Sequence, residues 1–393
     1  MSATSHVQGQ VHGMDGSLVA TDWPPLTLGE LRPLLAEFPA CGRPLRIVTV
    51  SPRPFSAASV VETTAGRIFV KRHHYSVRNV EGLAEEHRFL AHLRAHGASV
   101  PRVFAAASGR TAMERAQWTY EVHEIPAGVD VYEQAISWTP FLTTGHARSA
   151  GKALARLHLA AKGFNAPARP VRPLVASFTI FAAADPAAEL QRYLAARPAL
   201  AAHKDVHRCT EQALELLAPF HAELQPLLPA LPPLWTHNDL HASNLLWSDA
   251  GPDAEATAIF DFGLADRTNA VNDLAQAIER NLVEWLAIVE PDAPPEGAAI
   301  HFNQLGALLD GYESVRPLSR EEAAALAPMT ALCHAEFALA EADYFLGTLH
   351  DESKAPYAYD SYLVGHARWF HSAGQKLLNA LRYRAEPRTE ARP

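Results

Sequence analysis

The chain is short of several things, and each shortage narrows what it can be. Only three cysteines occur in 393 residues, Cys41, Cys209 and Cys333. They are far apart and form no CxxC pair, so the cysteines suggest neither a zinc site nor a disulfide framework, only buried thiols in a reducing compartment. Basic charge is also lacking. A formal net charge of −9 gives no footprint for a nucleic-acid backbone and little attraction to an anionic membrane. Apolar runs such as Ala153–Phe164 are interrupted by charges, so no segment is expected to cross a bilayer. The first residues are polar and lack the basic-then-apolar order of a secretion signal, and a cytoplasmic protein is expected. The 20 histidines are scattered, with no HExxH pair. There is no GxGxxG loop and no internal repeat.

What is present is an ordinary globular composition, 48% hydrophobic and 20% charged, in a chain long enough for two cores. Residues 1–24 read as flexible, and a short helix follows Leu26. Residues 45–50, 59–63 and 67–71 read as three meandering strands, with 100–104 and 118–122 as two more. A helix over 81–96 lies among them, closed by Gly97. Beyond Pro126-Ala127-Gly128 helical patterns dominate, at 146–162, 210–225, 272–289, 299–315 and 321–349. The expected division is an α+β chain with a sheet-rich domain over 25–125, a helical domain over 126–382 and a frayed tail over 383–393.

One position on the helix over 81–96 stands out. Leu83, Leu90 and Leu93 share a face, and Glu86 falls on it. A carboxylate on an apolar face needs a cation, and Lys71, at the end of its strand, is the candidate.

The most informative stretch is His237-Asn238-Asp239-Leu240-His241-Ala242-Ser243-Asn244. A strand-like run leads into it and an apolar run leaves it. Ser248–Glu255 then reads as a hairpin turn into 257–260, which ends at Asp261-Phe262-Gly263. The types suit phosphoryl transfer. An Asn carbonyl and an Asp carboxylate are hard oxygen ligands for Mg²⁺, a further Asp takes or orients the proton of an attacking hydroxyl, and a Lys holds phosphates as a point charge. The order Lys71, Glu86, Asp239, Asn244, Asp261 follows the kinase signature order. His237 reads as a brace for the loop, His241 and His158 as packing residues, and Asp273 as a further support of the loop at a helix start, where carboxylates cap backbone N–H groups.

At these residues the sequence resembles the aminoglycoside phosphotransferase and choline kinase superfamily. The resemblance runs from about Leu45 to Phe345 and takes in Val70-Lys71, Glu86–Leu93 with Val100-Pro101, Leu154–His158, the loop at 237–244, Asp261-Phe262-Gly263 and Asn272–Ala275. It implies a protein-kinase-like fold of two lobes: a small one with a five-stranded antiparallel sheet and one helix, and a larger helical one. It implies ATP or GTP as phosphate donor, Mg²⁺, and a hydroxyl of a small metabolite or antibiotic as acceptor. Asp239 would be the base, Asn244 and Asp261 the metal ligands, and Lys71 the α/β-phosphate ligand oriented by Glu86. His123-Glu124-Ile125-Pro126 would meet the purine, Glu124 and Ile125 being the nucleotide contacts, and Ser56–Ser59 would replace the glycine-rich phosphate loop.

Asn238 departs from the Gly usual in aminoglycoside-type enzymes, although choline-kinase-like loops often read His-Asn-Asp. The pattern of choline kinases after Asp261 is absent, so the acceptor stays open. Glu279 with Trp285, and Glu336, Glu341 and Asp343 beside Tyr344, lie on helices where an acidic and aromatic lining would suit an amine; Glu279 and Asp343 are the substrate candidates. Two other readings exist. One is a non-catalytic nucleotide-binding or regulatory protein on the same fold. The other, a protein Ser/Thr kinase, fits less well: Asn238 replaces the usual Arg, and the helix after Asp273 leaves no room for an activation loop before Ala293-Pro294-Pro295-Glu296.

Overall fold

Alternation along two neighbouring strands organises the N-terminal part of the protein. The computed structural model describes residues 10–12, 18–51, 53–285 and 299–386, and the chain divides into two units, Met1–Gly128 with Thr257–Phe260, and Val129–Ala256 with Asp261–Pro393.

In the first unit a hairpin of β1 (Gln10–His12) and β2 (Leu18–Ala20) precedes α1 (Leu28–Leu35). Thr27 starts α1 with a capping box to Glu30. Then come β3 (Pro44–Val50), β4 (Ala57–Thr63), β5 (Gly66–His74), α2 (Val80–Ala95), β6 (Ala112–Arg115) and β7 (Trp118–Glu124). The five later strands form one antiparallel sheet in the order β3-β4-β5-β7-β6. Ile68, Val70, Tyr120 and Val122 share a face and bury against Leu31, Leu34, Leu35 and Phe38 of α1 and its exit. On that face Arg72 donates to Glu30 at 2.7 Å and packs over Trp118. The register pairs Lys71 with Glu121, so these two, with His73 and His123, occupy the opposite face. The helix α2 is capped by Asn79, whose side chain accepts from Gly82 N.

The five-stranded sheet matches the sequence reading, but one strand is a different segment. Residues 100–104 make only a bridge, Val103 to His123, and Ala112–Arg115 is the fifth strand. Pro101 has no N–H to give a ladder. Of residues 1–24, Gln10–His12 and Leu18–Ala20 pair as strands where flexible chain was expected, and the rest of the first 17 lie outside the described residues.

The second unit is helical. Its helices are α3 (Thr144–Ala161), α4 (Pro186–Ala195), α5 (Pro198–Ala202), α6 (Lys204–Leu224), α7 (Ala270–Leu282), α8 (Phe302–Glu313), α9 (Arg320–Leu332), α10 (Ala335–Asp343), α11 (Gly365–His371) and α12 (Gln375–Ala385). Four short strands occur between α6 and α7: β8 (Pro233–Thr236), β9 (Leu245–Trp247), β10 (Ala256–Ile259) and β11 (Asp266–Asn269). Ser248 N donates to Glu255 O at 2.8 Å, closing the expected hairpin. The antiparallel pair β8–β11 places Thr236 opposite Asp266. The two helices α3 and α8 touch backbone to backbone, and glycine makes this possible: a Cβ on Gly151 would stand 2.0 Å from Leu308 O, and one on Gly311 2.0 Å from Arg148 O.

Two expectations need correction here. The helix expected over 321–349 is broken at Cys333-His334 and ends in wider turns over Tyr344–Leu349. Taken together, Arg320–Leu349 is long and apolar enough to cross a membrane, contrary to the sequence reading, but its most apolar stretch is 89% buried within the protein. The segment 286–298, with Ala293–Glu296, lies outside the described residues, as do 387–393 of the expected tail; α12 carries regular structure to Ala385. All three cysteines are buried and unpaired.

Candidate active site

The loop after β8 is held from three sides, because a turn this tight must find partners for its backbone groups. Asn238 takes a left-handed conformation, φ +60°, which Asn and Gly tolerate best. Its Oδ1 accepts from Thr236 Oγ1 at 2.7 Å and Thr268 Oγ1 at 3.2 Å, tying the loop to both strands of the β8–β11 pair.

Asp273, in the first turn of α7, accepts from His237 N at 2.9 Å, Asn238 N at 2.8 Å and His158 Nε2 at 2.9 Å. It is not the helix cap expected from sequence: Asn269 performs that role for α7. Burial pushes Asp273 up, but the hydrogen bond and charge of His158, with His237, outweigh it and lower its pKa. His158, read from sequence as packing, bonds Asp273 through Nε2 and Tyr312 OH through Nδ1. His237 does brace the loop, its Nδ1 accepting from Asp239 N at 3.1 Å and its ring meeting Phe262 edge-on. His241 Nε2 lies 3.7 Å from Asp239 Oδ2.

Two residues that sequence reasoning missed sit farther along α7. Asn281 accepts from Ala242 N and donates to Leu240 O, both at 2.9 Å. Arg280 donates to Asn238 O at 2.7 Å and to Asp239 Oδ1. The sequence offers Glu279 as a substrate candidate and gives no sign of Arg280; the fold buries both. Asp239 is therefore fixed by Arg280 while its Oδ2 faces Asn244, whose Nδ2 donates to Asp239 O at 2.9 Å and Oδ2 at 3.3 Å. Burial raises the pKa of Asp239; Arg280 and His237 oppose the rise, and the charge of Asp261 adds to it.

That last effect bears on a metal. Asp239 feels the charge of Asp261 and is hydrogen-bonded by Asn244, and two carboxylates with an amide oxygen are the hard donor types that a divalent cation takes. With Nδ2 of Asn244 committed to Asp239, Oδ1 is its remaining ligand atom. Asp261 also has positive φ, +59°. Buried Arg169 donates to Gly263 O and Ala265 O at 3.1 Å each, fixing the turn after Asp261. Nothing in the sequence around Arg169 signals this.

Beyond Arg280 lies an acidic, aromatic nest. Glu341 of α10 is wholly buried, and neither carboxylate oxygen has a hydrogen-bond partner. Burial lifts its pKa to about 8, with Arg280 opposing and Asp239 adding. Glu279 is lifted to about 7 by burial, against Arg280 and His334; its Oε1 meets His366 Nδ1 at 2.9 Å and its Oε2 has no partner. Trp138 packs on Phe337 and Tyr362 at 5.4 and 5.2 Å, and the Arg280 guanidinium lies over Trp138 at 4.8 Å. The other substrate candidates are elsewhere engaged. Asp343 lies 3.8 Å from Arg197, Glu336 accepts from the backbone of Thr179 and Ile180, and Trp285 stacks on His366.

The nucleotide candidates belong to the first unit. Lys71 is half-buried on β5, and Glu86 is buried on α2 as its place on an apolar face required. Ser56 is the bend before β4. Glu124 ends β7 with its carboxylate 3.2 Å from Arg102 Nε, and Ile125 is exposed.

The profile of the "phosphotransferase enzyme family" matches residues 54–318. No curated protein matches. Among solved structures, a microcompartment-associated aminopropanol kinase aligns with TM-score 0.57 and 18% identity, over 92% of this chain and 100% of that one. An amicoumacin kinase, solved with AMP-PNP, Ca²⁺ and Ami, aligns with TM-score 0.54 and 16% identity, over 88% of this chain and 93% of that one.

Proposed function

Since the chain belongs to the phosphotransferase enzyme family, we propose that it moves the γ-phosphoryl group of ATP or GTP to a hydroxyl of a small, amine-bearing molecule. The observation that carries the reading is Asp239: a half-buried carboxylate with one oxygen fixed by Arg280, the other beside the Asn244 amide, and its pKa raised. A base held in this way can orient an acceptor hydroxyl and take its proton as the bond to phosphorus forms. Asn244 and Asp261 would hold Mg²⁺, which when bound neutralises phosphate charge. Lys71 is assigned the phosphate-holding ammonium and Glu86 the carboxylate that orients it; Ser56, Glu124 and Ile125 remain nucleotide-side assignments.

The acceptor's amine is argued from Glu341 and Glu279. Three carboxylate oxygens without partners, in a buried nest walled by Trp138, Phe337 and Tyr362, lack a cation, and an ammonium would satisfy the carboxylates and the aromatic faces together. Amino alcohols, the class named by one structural neighbour, are the first acceptors to try. The test is a screen of amino alcohols, hydroxy-amino acids, sugars and aminoglycosides with ATP and Mg²⁺, with Asp239→Asn as the blank. Turnover should fall about 10²- to 10⁴-fold in the variant while nucleotide still binds by calorimetry. Undiminished turnover in Asp239→Asn overturns the mechanism.

A further inference from the structure

Three of the histidines that look scattered in sequence are gathered by the fold around one carboxylate. Glu121 on β7 is 1% exposed. Its Oε2 meets Nε2 of His87 on α2 and Nε2 of His123, each at 2.8 Å, and its Oε1 meets Nε2 of His73 on β5 at 2.9 Å. Strand alternation produces this: Glu121 and His123 are two apart on β7, and His73 has the same parity on the neighbouring strand. His87 and His123 are 5% and 9% exposed. The ligand atoms of His87, Glu121 and His123 lie within 4.8 Å of one another.

We propose that His87, Glu121 and His123 bind a divalent cation of the Zn²⁺ class, with His73 holding the second oxygen of Glu121. Zinc bonds of roughly 2.0–2.2 Å in a tetrahedron set ligand atoms about 3.4 Å apart, so the cluster needs only small side-chain adjustments. Two imidazoles and one carboxylate favour zinc over Mg²⁺ or Ca²⁺, which prefer all-oxygen sets. His87 already has the outer partner that a metal-ligating imidazole uses: Nδ1 lies 2.8 Å from Thr111 Oγ1, and the hydroxyl can accept Nδ1–H once Nε2 is on the metal.

The test uses the full chain, stripped with EDTA and equilibrated with Zn²⁺ against a competing chromogenic chelator in excess Mg²⁺, so that loosely bound surface zinc is removed. One zinc per chain is expected by atomic emission, with a raised Tm. His87→Gln/His123→Gln should lose that zinc, Asp239→Asn should keep it, and Thr111→Val should weaken it about 10- to 100-fold. Co²⁺ in the folded wild-type protein should show the visible absorption of a low-coordinate site, a readout that depends on no variant. The proposal is overturned by wild-type protein that retains no zinc, by equal retention in the double variant (surface histidines only), or by a Co²⁺ spectrum of the hexaaqua type.

Discussion

Asp273 shows how much one buried side chain can carry. It accepts two consecutive backbone N–H groups of the loop that bears Asp239, and His158 besides. Asp273→Asn replaces one acceptor oxygen by a donor and leaves at least one of these partners facing an N–H. A loss of about 2–4 kcal/mol is expected, measurable by urea unfolding. The sign with pH follows from the lowered folded pKa. The stabilisation is present above the ordinary value of 3.8 and disappears as pH falls through the folded value, so the gap between wild type and Asp273→Asn should close in acid. Asp239, Asn244 and Asp261 stand out in the sequence because their spacing is local. Arg280, Asn281 and Arg169 could not, because their roles exist only once α7 and the segment before α4 pack against the loops. Asp273 was singled out as a support for the loop; only its expected route, capping its own helix, is taken by Asn269 instead.

Among the elements, the contact of α3 with α8 is the least forgiving. Each helix gives a glycine to the other's backbone, at 2.0 Å from a would-be Cβ. Gly151→Ala or Gly311→Ala must push the helices apart, and each is expected to cost about 1–3 kcal/mol. Because both relieve one contact, the double variant should lose less than the sum of the singles; thermal unfolding decides it. The nest between α7 and α10 yields a pH prediction. Glu279 and Glu341 are raised to about 7 and 8, so below those values a bound ammonium must first displace protons. The KM for an amine acceptor should therefore fall as pH rises from 6 to 8, and Glu341→Gln should flatten that slope. Strand reading failed where β-branched sequence misled: residues 100–104 hold Val100 and Val103 but also Pro101, whereas Ala112–Arg115 is short, without β-branched residues, and paired with β7.

For the molecule as a whole, the fold class was legible because both halves declare themselves locally, one through a meander with a capped helix and the other through helical periodicity around a fixed loop. The weaker reading came after Leu349, where aromatic-rich sequence gives no clear period and the chain still forms α11 and α12. It failed also for the His73, His87, Glu121 and His123 cluster, which draws on three elements and has no spacing signature.

The buried cysteines have a use that follows from where they lie. Burial raises the Cys41 thiol to about 11, against Arg102, and lifts Cys209 and Cys333 as well. A thiolate reagent thus finds almost nothing to attack in the closed protein. Cys41 belongs to the first unit, and Cys209 and Cys333 to the second. Pulse labelling followed by peptide mass spectrometry should then time the opening of each unit separately. Added zinc is expected to slow modification at Cys41 while leaving the other two unchanged, so the chain carries its own pair of clocks.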